Sequence, residues 1–170
     1  AFVGDMFNYN LKGIALWMMA RETQNTIVYV DADTFLFGWD KGTSRFIIGH
    51  ENSLFCRFRE RVSDNTSLKM FIPQKAAAHG IDYTQIHTHL AIETIMILTR
   101  GADTNNFLGI WKDLIDYATI NKIDPFIEAF ELAVAMDRSD IKPINITRFM
   151  PFADSFRTIH NGRLITTNII

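Results

Sequence analysis

Apolar positions along this chain fall into two periods, and the order of those segments predicts an α/β fold. Residues 10–24 place Leu11, Ala15, Met18 and Met19 at helical spacing, with Ile14 and Trp17 widening the apolar face. Gln24-Asn25 ends that helix. Residues 26–30 (Thr-Ile-Val-Tyr-Val) are β-branched and aromatic, a short run of the kind found in a strand covered on both faces. Asp31-Ala32-Asp33 follows at once, then Phe35-Leu36-Phe37, and Gly38 and Lys41-Gly42 mark turns. Residues 45–49 and 68–72 read as strands, the second closed by Pro73. Residues 76–92 show no single period, and 93–98 (Glu-Thr-Ile-Met-Ile-Leu) read as a further strand ended by Arg100-Gly101.

Two helices come next. Asp103 or Thr104 can cap the first, whose stripe is Phe107, Leu108, Trp111, Leu114, Ile115 and Ala118. Asp124-Pro125 opens the second, with Phe126, Phe130, Ala133 and Val134 on its buried side. Ile144-Asn145-Ile146 reads as a short strand before a tail containing His160-Asn161-Gly162-Arg163. Strands alternating with helices predict a mixed, mostly parallel sheet flanked by helices.

Composition narrows the class. With 170 residues, one domain spanning 1–170 is expected, and 14 Phe and 3 Trp can fill a sizeable core. Ala1 is not a start residue, so a processed chain or a piece of a longer one is expected. The net charge of -2 gives no basic excess, so no nucleic-acid partner is expected; the Arg57, Arg59, Arg61 cluster is interrupted by Glu60 and reads as a solvated face. The single Cys56 forms no internal disulfide, which fits a cytoplasmic protein. No apolar run reaches the roughly 18 residues of a membrane span.

The chemistry suggested by the sequence centres on Asp31 and Asp33. Along an extended chain their carboxylates point the same way. Two hard oxygen ligands just beyond a buried strand suit Mg²⁺ or Mn²⁺ holding a diphosphate. A plain strand-end turn also favours Asp. His79, His87 and His89 form a second group, better read as ordinary surface or core histidines than as a zinc or iron site.

The segment Tyr29-Val30-Asp31-Ala32-Asp33-Thr34-Phe35-Leu36 resembles the metal-site segment of GT-A-type glycosyltransferases. Asn8-Tyr9-Asn10-Leu11-Lys12 is similar to the helix before that strand, and Glu93–Arg100 followed by Asn106–Trp111 to the family's acceptor-side strand and helix. The resemblance runs from about residue 8 to residue 163, without the family's opening nucleotide-binding strand–helix–strand unit and without the Asn-x-Gly commonly seen before the acceptor-side strand. It implies a GT-A-like fold and transfer of a sugar from a nucleotide-sugar donor to an acceptor hydroxyl, the acceptor being open. Asp31, Asp33 and His160 would hold Mn²⁺ or Mg²⁺. Glu128 or Glu131 would face the sugar or act as base, and Lys12, Gly162 and Arg163 would approach the phosphates.

Two rivals use the same residues. A metal-dependent phosphoesterase would also use Asp31 and Asp33, but needs further carboxylates on neighbouring strands. A non-enzymatic assembly module of a viral or multi-subunit particle, or a homo-oligomer, would place the many Met and Phe side chains at interfaces.

Overall fold

The computed structural model describes residues 11–31, 34–36, 41–64, 71–124, 127–146, 156–160 and 163–166. Among them the elements are α1 (Leu11–Glu22), β1 (Ile27–Val30), β2 (Thr34–Leu36), α2 (Lys41–Ile48), β3 (Ser53–Arg61), α3 (Phe71–Ala78), β4 (His89–Leu98), α4 (Ala102–Ile120), α5 (Ala129–Asp137), β5 (Lys142–Asn145), β6 (Phe156–His160) and β7 (Arg163–Thr166).

The main sheet has strand order β1-β4-β3-β5. It is mixed, but mostly antiparallel: β1 with β4 and β4 with β3 run antiparallel, and only β3 with β5 runs parallel. The expected mostly parallel sheet is therefore corrected. The reason is β3, a nine-residue strand that the Arg-rich run Arg57-Phe58-Arg59-Glu60-Arg61 in its second half conceals. Its first four residues, Ser53–Cys56, are buried between both neighbours, while Arg57–Arg61 extend towards solvent.

Two apolar layers cover the sheet. Leu54, Cys56, Met96 and Leu98 face a large core completed by Leu16 of α1, Ile72 of α3, Phe107 and Trp111 of α4 and Phe130 of α5. Phe55, Ile95 and Ile97 point the other way, onto Ile47 of α2 and Ile146. This alternation follows from the two-residue period of strands. At ~25 cal/mol per Å², each such fully buried side chain contributes roughly 1.5–3 kcal/mol.

Other local expectations give way to tertiary context. Of the run 45–49, residues 45–48 belong to α2, which buries Thr43 and Ile47 four apart, and Gly49 follows it in a turn; a short apolar run does not distinguish helix from strand. Pro73 lies in the first turn of α3, where no intrahelical donor is lost, rather than closing a strand. Helix α4 has Gly101 at its N-cap, and its Asp103 N–H donates to Asn52 Oδ1 at 3.1 Å, so a residue from another segment caps it. Helix α5 starts at Ala129 rather than at Asp124; Pro125 and Phe126 lie outside the described residues. Gly13 lets α1 approach α4 closely, against the Trp111 ring and Ile115.

A second sheet pairs β2 with β6 and β6 with β7, all antiparallel. Thr34 stands opposite Thr158, so β6 runs towards its end at His160 along the strand that follows Asp31. Among the described residues no helix is long and apolar enough to cross a membrane.

Candidate functional site

Four segments converge where β1 ends. Lys12 enters from the first turn of α1, Tyr29 and Asp31 from β1 and the residue after it, Glu93 from β4, and Glu128 from the residue before α5. Lys12 Nζ donates to Glu128 Oε1 at 2.8 Å and lies 3.4 Å from Asp31 Oδ1. It also stands 5.9 Å from the centroid of the Tyr29 ring. Tyr29 Oη donates to Asp31 Oδ1 at 2.6 Å.

Glu93 reaches this group because β4 is irregular beside it. Between Phe55 and Arg57, two steps along β3, the partner on β4 moves from Ile97 to Ile92, five steps. Such bulges break the in–out alternation and re-aim side chains. Glu93 lies within electrostatic reach of Glu128, Lys12, Asp31 and Cys56.

Burial and crowding set the protonation states. Burial, then the charge of Glu128, pushes Glu93 from 4.5 up to about 8, so it holds its proton at neutral pH. Burial also raises Glu128 above the ordinary carboxylate range, against the opposing hydrogen bond from Lys12. Burial works against the charge of Lys12, but its hydrogen bond to Glu128 and the nearby carboxylates outweigh that and raise it. Burial and the hydrogen bond to Asp31 keep Tyr29 protonated far above neutrality. Glu93 Oε1 and Glu128 Oε2 are buried with no hydrogen-bond partner among the described residues.

A second polar cluster supports the turn that presents Glu128. Glu131, 1% exposed, accepts from His79 Nε2 at 2.9 Å and pairs with Lys75 Nζ at 3.0 Å. Lys75 Nζ also donates to the carbonyl of Ile127 at 3.0 Å. Ile127 has φ of 64°, a left-handed conformation that a β-branched residue adopts only at a cost of roughly 1–3 kcal/mol. Lys75 thus clamps a strained residue next to Glu128. Tilted rings of Tyr117 and Phe130 flank His79.

The site residues expected from sequence are placed as follows. Asp31, Glu128 and Lys12 come together. Glu131 does not join them, since it is buried and paired with Lys75 and His79. Asp33 and Gly162 lie outside the described residues. His160 and Arg163 are paired residues at the β6–β7 hairpin, described by backbone alone. His50 stacks near Phe46 and Phe55, and His89 near Phe58, which accounts for both as packing residues. Sequence reasoning missed Glu93, Tyr29 and Lys75. A lone carboxylate at the head of the apolar run 93–98 was the available signal for Glu93.

The fit of this group to a hard cation rests on its donors. Asp31, Glu93 and Glu128 offer carboxyl oxygens, two of them unpartnered, as Mg²⁺ or Mn²⁺ requires. Lys12 Nζ stands between Asp31 and Glu128, so cation binding requires it to turn aside. Among the described residues no three His, Cys, Asp or Glu side chains form a ready cation shell. No family model, curated protein or solved structure matches this chain.

Proposed function

We propose that this chain is a divalent-cation-dependent enzyme acting at a phosphate group, in the first instance by phosphoester hydrolysis. The observation that carries the reading is the convergence of Asp31, Glu93 and Glu128 with Lys12, including a carboxyl on the strand neighbouring Asp31. A phosphoesterase needs that neighbouring carboxylate. Asp31, Glu93 and Glu128 would hold Mg²⁺ or Mn²⁺, and the bound ion supplies charge neutralisation at the phosphate oxygens. Lys12 would exchange its carboxylate partners for a phosphate oxygen. Water oxygen attacks phosphorus and gives up a proton, the ester P–O bond breaks, and the leaving oxygen takes up a proton in its place.

Sugar transfer from a nucleotide-sugar is the second reading, favoured by Glu128 lying beside Asp31. There Glu128 would orient the sugar or act as base, and the same cation would steady the departing diphosphate.

Calorimetric titration with Mn²⁺ and Mg²⁺ at pH 7, followed by bis(p-nitrophenyl) phosphate turnover, tests the proposal. Binding with release of a proton from Glu93, lost in Asp31→Asn, is expected. A melting temperature raised by UDP or GDP only with Mn²⁺, without phosphoester turnover, moves the assignment to sugar transfer. No response to either cation or nucleotide removes both enzymatic readings and leaves the assembly module.

A further inference from the structure

A cationic cleft lies at the other end of the β1–β4 pair, roughly 20 Å along β4 from Glu93. It encloses about 410 Å³ between the end of α1 and the start of α4. Among the described residues its polar lining is Arg21, Gln24, Arg100 and Asn105, with no carboxylate. Trp17 forms an apolar wall.

Among the described residues neither Arg21 nor Arg100 is paired with a carboxylate. Arg21 sits with its guanidinium 4.8 Å from the Trp17 ring centroid, a cation–π contact that fixes the side chain and leaves its donors unspent. Arg100 Nη2 donates to Ala20 O at 2.8 Å, closing the end of α1, and to Asn105 Oδ1 at 2.9 Å. Its Nε and Nη1 are shielded from bulk water and have no acceptor among the described residues. Burial without a carboxylate partner lowers Arg100 below the ordinary guanidinium range. Lys112 stands 5.2 Å from the same Trp17 ring and adds positive potential, partly offset by its pairing with Asp116.

Helix-end capping explains only Nη2 of Arg100. It explains neither Arg21 nor the two unpartnered donors of Arg100, which are covered and meet an anion in the cleft only once the side chain turns. Guanidinium forks match oxyanions with two or more oxygens, and carboxamides at the rim can donate to the same group. We infer that the cleft between Arg21 and Arg100 binds a phosphate-class oxyanion, independently of the carboxylate site. The phosphate is either that of a small free molecule or one of the phosphates of an oligonucleotide.

Trp17 makes the test local. Intrinsic fluorescence is followed in the intact chain, in EDTA and low salt, with inorganic pyrophosphate in one arm and a short single-stranded oligonucleotide in the other. EDTA keeps cation binding at Asp31 and Glu128 out of the readout. A saturable change lost in Trp17→Phe, and at least tenfold weaker in Arg21→Gln and Arg100→Gln, is expected. Saturation by pyrophosphate identifies a small-molecule site, and saturation by the oligonucleotide alone identifies a strand phosphate. Arg21 is exposed, so Arg21→Gln reports on binding even if Arg100→Gln loosens α1. No saturation by either probe, or equal affinity in Arg21→Gln, overturns the inference.

Discussion

Replacing Glu93 with Gln should change how stability depends on pH. In the folded chain Glu93 is pushed from 4.5 up to about 8, first by burial and then by Glu128. Unfolding returns it to the ordinary value and releases its proton. The folded-state pKa is raised, so the contribution of the protonated group is fully present below about pH 4.5, the unfolded value. It declines as the pH climbs towards about 8 and stays lost above. At about 1.4 kcal/mol per pH unit, the decline is on the order of 4 kcal/mol across that window. Gln keeps the shape and the neutral charge but does not titrate. The variant should therefore gain on the parent by about that amount between pH 4.5 and pH 8. Urea melts of both proteins at half-unit pH steps measure it directly. Curves that run parallel, within ~0.5 kcal/mol, would show Glu93 ionised in the native state and sink the reasoning.

Further substitutions probe the framework around the site. Trp111, 1% exposed, should cost roughly 3–5 kcal/mol as Trp111→Ala, and a loss below ~1 kcal/mol in denaturant melts would contradict its place in the core. Glu131→Gln removes the carboxylate that pairs with buried Lys75, and about 3 kcal/mol of destabilisation is expected; thermal melts showing less than ~1 would mean the pair carries little. Gly13→Ala would set its new Cβ 2.4 Å from Ile115 Cδ1 and 3.0 Å from Trp111 Cε2. The overpacking should cost about 1–3 kcal/mol despite the better helix propensity of Ala, and an unchanged melting midpoint would show that α1 and α4 shift apart freely.

What the sequence determined by itself was whatever depends on local period. The stripe of Phe107, Leu108, Trp111, Leu114 and Ile115 is buried as a helix face, because 3.6-residue spacing leaves no other way to hide five large side chains. The runs 26–30 and 93–98 are strands, paired with each other in one register from Ile27 opposite Leu98 to Val30 opposite Ile95. The carboxylate of Asp31 at the end of the first run was legible as candidate chemistry for the same reason. Tertiary structure decided everything that needs a partner. Strand β3 hides a buried half behind an Arg-rich half, and only its two neighbours reveal it. Residues 45–48 became helix because Ile47 found burial under the sheet, a choice no five-residue window contains. Glu93 faces Lys12 and Glu128 through an irregular register with β3, and register is a property of the pair of strands rather than of either one. Lys75, His79 and Glu131 lie up to 56 residues apart in number, and a buried charge is tolerable only once the fold has brought its counter-charge to it.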